Sequence, residues 1–167
     1  MVYKIRVILN AEDNVIRDIA INKSDSLEDL HNAIINAFAY SGREMASFYK
    51  SDEEWNQGEE FPLFDMSETQ DSKTQMSEIK ILDVFTKNND KLIYVYDFFN
   101  MWMFYVELME TNIKETHQHL PFLLFSLGEI PNNAPDLKFE SEDLSEDDID
   151  EEIVDYSDEN FEDFNYN

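Results

Sequence analysis

The run Leu92-Ile93-Tyr94-Val95-Tyr96-Asp97-Phe98-Phe99-Asn100-Met101-Trp102-Met103-Phe104-Tyr105-Val106-Glu107-Leu108-Met109 is the most apolar window of the chain. A membrane helix needs about 20 predominantly apolar residues and seldom tolerates ionisable groups in its middle. Asp97, Asn100 and Glu107 interrupt this window, and β-branched and aromatic residues fill it. It therefore reads as two strands, Leu92–Phe98 and Trp102–Met109, joined by Phe99-Asn100-Met101. Both faces of this hairpin are apolar, which predicts a central position with burial on both sides.

Working outward, Tyr3, Ile5, Val7 and Leu9 alternate with Lys4, Arg6 and Ile8, the pattern of a half-buried strand. Turn residues Asn10–Asn14 and a second β-rich run, Val15–Ile21, complete an N-terminal hairpin. Ser26 with Asp29 three positions later marks a helix start. Leu27, Leu30, Ile34, Ala37 and Phe38 follow at helical spacing, so a helix over 27–39 is expected to pack on the sheet. Ala46–Lys50 has the composition of a short strand. Ser51–Gln75 is polar and lacks periodicity, and reads as a long loop anchored by Trp55 and Phe61-Pro62-Leu63-Phe64. Ile79, Leu82 and Phe85 point to a short helix. Leu120–Leu127 is apolar, and Gly128–Pro135 is irregular. The expected fold is α+β: a mainly antiparallel sheet with one main helix on a face, over 1–135, followed by a flexible acidic tail over 136–167.

The charge is lopsided. The chain holds 38 Asp plus Glu against 12 Lys plus Arg, a formal charge of -26. Of that excess, 14 net negative charges lie in the last 32 residues, which contain 15 acids and one lysine. Such a surface repels nucleic-acid phosphates and anionic membranes and favours a basic protein partner. The tail also carries Ile149, Ile153, Tyr156, Phe161 and Phe164 among its acids. An acidic-aromatic stretch of this kind reads either as solvated chain or as an interaction segment. In the second case Asp147, Asp148, Glu151, Glu152, Tyr156 and Phe161 are the residues expected to meet the partner.

Most catalytic chemistry finds no signature. There is no cysteine, which removes disulfides, thiol nucleophiles and Cys-ligated zinc, and fits a reducing, cytoplasmic location. Charged residues within Met1–Arg6 do not form a secretory leader. The three glycines, Gly42, Gly58 and Gly128, cannot build a phosphate-binding loop, so no nucleotide cofactor is expected. His31 flanks the helix stripe, while His117 and His119 share a face only if they lie on a strand. Neither arrangement specifies a metal site, and the run Glu146–Glu152 lacks the glycine and spacing of a calcium loop. Ser47 and Ser126 have no nucleophile-elbow context. Asp97 is the most informative charge, because a carboxylate between Tyr96 and Phe98 must be paired or hydrogen-bonded. It is expected to cap the turn or pair with a cation, or alternatively to act as a site acid beside Trp102.

Three stretches together resemble the plasmid pRiA4b ORF-3-like proteins. They are Ser26-Leu27-Glu28-Asp29-Leu30-His31 with Ala37-Phe38-Ala39-Tyr40, Leu92–Phe98 with Trp102 and Val106-Glu107-Leu108, and Leu120-Pro121 with Gly128-Glu129-Ile130-Pro131 and Pro135-Asp136. The chain departs from that pattern where Phe99, Asn100 and Met101 replace a Gly-Asp turn, and in its lack of cysteine. The resemblance implies a compact α+β fold and a transposon or plasmid gene setting. It supplies no activity. Three functional readings follow: a non-enzymatic interaction or accessory protein, an enzyme with a site near Asp97, and a mobile-element passenger with a structural role only.

Overall fold

The computed structural model describes residues 1–68, 72–114 and 119–135. The acidic stretch 136–167, with all six of its candidate contact residues, lies outside them, as does His117.

The N-terminal hairpin is β1, Val2–Leu9, with β2, Ile16–Asn22. Helix α1 spans Leu27–Ala37 and is followed by β3, Ala46–Ser51, and β4, Gln57–Pro62. A short 3-10 turn, Met76–Glu78, precedes α2, Ile81–Val84. The apolar window forms β5, Lys91–Tyr96, and β6, Trp102–Glu110, and the chain then adds β7, Phe122–Leu127. The strands make one sheet in the order β4-β3-β5-β6-β1-β2-β7. Every neighbouring pair is antiparallel. The fold is thus α+β, with β6 at the centre of the sheet and α1 as the main helix.

The alternation of β1 sets the layering. Tyr3, Ile5, Val7 and Leu9 are buried and share a cluster with Leu92, Tyr94, Phe104, Val106 and Leu108 from neighbouring strands. Leu27, Leu30 and Ile34 of α1 close that face and are fully buried. Each such side chain contributes roughly 1.5–3 kcal/mol relative to exposure. The helix begins with a reciprocal cap: the Ser26 hydroxyl accepts from Asp29 N–H, and the Asp29 carboxylate accepts from Ser26 N–H. It ends at Ala37, two residues before the expected limit, where Ala39 turns to φ 55.

On the other face, Arg6 and Asp18 stand opposite each other across β1 and β2. The guanidinium donates twice to the carboxylate, at 2.8 and 2.9 Å. A bidentate pair of this kind is charge-assisted and fixes register. Arg17, on the helix face, ties β7 to α1. It donates to the carbonyls of Leu127, Gly128 and Ala37, and its guanidinium lies over Phe38.

Three expectations are corrected. Ser51–Gln75 is more than a loop, because residues 57–62 pair with β3 as an edge strand. The pairing supplies what Gln57-Gly58-Glu59-Glu60 lacks in local pattern. The far face of β6 is only half-buried at Met103, Tyr105 and Glu107, although Ile93 and Val95 beside it are buried. His31 lies within the core at 3% exposure instead of on the helix flank.

Candidate functional site

The turn between β5 and β6 is built around Asp97. Its backbone adopts φ 62, outside the strand, and Met101 at the far end adopts φ 58. The left-handed region is uncommon for residues with side chains, and Asp tolerates it better than most. The compensation is a dense set of hydrogen bonds. Asp97 N–H donates to the Met45 carbonyl at 2.8 Å, and Met101 N–H donates to the Asp97 carbonyl at 2.6 Å. One carboxylate oxygen accepts from the N–H groups of Phe99 and Asn100, and the other accepts from the Asn100 side-chain amide at 2.6 Å. Asp97 is 8% exposed and meets the requirement that a buried carboxylate be hydrogen-bonded.

What this clamp displays is apolar. Phe98 is 43% exposed and Phe99 is 93% exposed. Phe98 also borders a recess of about 200 Å³ with Met45, Ser47, Glu60, Phe64 and Met66. Phe64 and Met66 are themselves largely exposed. In the recess, the Ser47 hydroxyl donates to Glu60 at 2.6 Å, Tyr49 donates at 3.2 Å, and the Lys73 ammonium pairs with the second carboxylate oxygen. Burial works against ionisation of Glu60, but the bonds from Lys73, Ser47 and Tyr49 outweigh it and hold its carboxyl below the ordinary value. Ser47 is fully buried, and its hydroxyl is committed to Glu60.

Trp102 faces away from this recess into the aromatic layer under α1. Its ring centroid lies 5.1 Å from that of Tyr40, which in turn stacks on Tyr96 at 4.9 Å. The structure therefore brings Asp97 together with Phe98, Phe99 and Asn100, and gives Trp102 to the core. The sequence reading ended the first strand at Phe98 and put Phe99 in the connection, and it marked neither as a displayed residue. A signal was present, since Phe98 and Phe99 lie between a turn-forming Asp97 and Asn100. His119 is exposed, and Ser126 lies on β7. Among the described residues no three His, Cys, Asp or Glu side chains converge as a metal site would require. No helix among them is long and apolar enough to cross a membrane.

Seven antiparallel strands with one covering helix define an α+β protein whose displayed feature is a clamped aromatic turn. The chain belongs to the plasmid pRiA4b ORF-3-like protein family, whose model matches residues 1–162. It also resembles the crystal structure of a protein of unknown function from Methanosarcina mazei Go1. That likeness has a TM-score of 0.62 and 19% identity over 75% of this chain and 68% of the other. At that identity the likeness establishes the fold. No curated protein matches the sequence.

Proposed function

We infer that this protein is a non-enzymatic interaction or accessory protein that captures a basic protein partner. The observation that carries this reading is Phe99, 93% exposed on a turn held by the Asp97 carboxylate. An aromatic side chain on a pre-organised turn loses little freedom on binding, and buried aromatics dominate interface energies. Phe98, Phe64 and Met66 extend the apolar contact, with Asp65 beside them at the recess. The acidic tail supplies long-range attraction, which raises association rate and selects a basic surface. The alternative of an enzyme built on Asp97 draws less support, because both carboxylate oxygens already accept hydrogen bonds from the turn.

Affinity capture from the source cell tests the reading. The baits are the full chain, a chain ending at Pro135, and a full chain carrying Phe98→Ser and Phe99→Ser. The full chain is expected to retain a basic protein at low salt and release it at moderate salt. Both altered baits are expected to retain less. Equal recovery by all three baits, or none by any, sinks the proposal.

A further inference from the structure

Just beyond β7 the chain passes hard against the turn between β1 and β2. Gly128 adopts φ 82, and a Cβ built there would lie 2.1 Å from the Asn14 carbonyl oxygen. Glycine alone lets the two backbones approach so closely. Arg17 holds the passage by donating to the carbonyls of Leu127 at 2.9 Å and Gly128 at 3.1 Å. Beyond it, Ile130 and Ala134 pack against the core. Between this segment and the β1–β2 turn lies a groove of about 410 Å³. Ala11, Val15, Ile130, Pro131 and Pro135 give it an apolar lining, and Glu12, Asp13, Glu129 and Asn133 complete it. Glu12 already has an interaction partner. Asp13 and Glu129 are exposed and form no ion pair with the described residues. Among the described residues, no lysine or arginine lines the groove.

Resting on the partner-capture reading, we propose that this groove is where the basic partner docks, through a segment with an apolar side chain between lysines or arginines. Two properties select this occupant. Carboxylates with no cation among them repel nucleic acid, and they oppose a second copy of this chain, whose formal charge is -26. The apolar lining offers nothing to a bare cation, but it releases water when an aliphatic side chain enters. A basic segment with an apolar anchor meets both conditions. The groove is also pre-formed. Gly128 and Arg17 fix one wall, and Pro131 and Pro135 restrict its backbone, so little freedom is lost on binding. The acidic stretch starts at Asp136, next in sequence to the groove residue Pro135, so charge that attracts a basic chain is tethered at the groove.

Titration of the full chain with two synthetic peptides, followed by amide NMR shifts, reads the outcome. One peptide carries a pair of leucines flanked on each side by a pair of lysines, and the other has glycines in place of the leucines. The leucine peptide is expected to shift the Ala11, Val15 and Ile130 amides together, with a midpoint at least about tenfold lower than the glycine peptide's. Salt is expected to raise both midpoints and leave the difference between them, because screening acts on charge and not on apolar burial. Asp13→Lys with Glu129→Lys is expected to raise the leucine peptide's midpoint by about tenfold at low salt. Glu53→Lys with Glu68→Lys makes the same change of net charge at exposed positions outside the groove, and is expected to bind nearly as wild type. Far-UV circular dichroism checks that each variant is folded, and the comparison of the two peptides on the wild type needs no variant. Shifts confined to residues beyond Pro135 or to the Phe98–Phe99 turn overturn the groove and leave partner capture standing. Equal midpoints for the two peptides, or equal losses from the two charge reversals, also overturn the groove, since bare charge then explains the binding. No shift with either peptide at low salt counts against partner capture itself.

Discussion

His31 shows how one residue ties the helix to the sheet and makes stability depend on pH. It is 3% exposed, and its Nδ1 lies 2.7 Å from the Tyr94 hydroxyl on β5. Burial pushes its pKa down from 6.5 to about 4. The folded state therefore keeps the ring neutral, while the unfolded chain takes up a proton near 6.5. Stability is full above that pH and falls as pH drops toward 4, by up to about 3 kcal/mol from this group. Replacing both partners, His31→Leu with Tyr94→Phe, is expected to cost little at neutral pH, because neither buried polar group is left unsatisfied. Urea unfolding from pH 7 to pH 4 is expected to show the wild type losing stability faster than the double variant. Parallel pH curves would refute the assignment. The sequence placed His31 beside an apolar stripe, but its partner lies 63 residues away, beyond any local pattern.

At the scale of elements, the hairpins were legible where side chains alternate and illegible where pairing alone makes the strand. β1 carries its alternation in the chain, β2, β5 and β6 carry their β-branched and aromatic composition, and α1 carries its cap. β4 has Gly58 and two glutamates, and it is a strand because β3 offers it a ladder. The same limit hid the turn. Asp97 was recognised as a carboxylate in need of partners, but the left-handed backbone that turns Phe98 and Phe99 outward has no periodic signature. The clamp makes a specific prediction. Asp97→Ala removes three hydrogen-bond acceptor contacts from the turn and is expected to destabilise the fold by about 1–3 kcal/mol. Asp97→Asn keeps an acceptor and suits the left-handed backbone, so its loss is expected to be smaller. Chemical denaturation ranks the three proteins. Amide exchange at Phe99 and Asn100 is expected to speed up most in the alanine variant. An alanine variant as stable as the wild type would remove the carboxylate from the account of this turn.

The whole molecule is governed by its charge, and composition alone placed most of the excess beyond Pro135. The described residues all lie within one compact unit, Met1–Asp136. With 14 of the 26 net negative charges in the last 32 residues, the tail raises the field that opposes compaction of the domain it follows. Tail charges that serve partner capture and add nothing to the core have a thermal signature. A chain ending at Pro135 is then expected to melt at or above the full chain at low salt. Added salt is expected to raise the full chain's midpoint more than that of the shortened chain, until the two converge. For a chain of this length a difference of 1 kcal/mol moves the midpoint by about 2–4 °C, so even partial relief is measurable by calorimetry. Both proteins are compared at one concentration. A shortened chain that melts well below the full one at every salt would show that residues beyond Pro135 stabilise the fold. The tail would then be a structural element, and partner capture would have to rest on the Phe98–Phe99 turn.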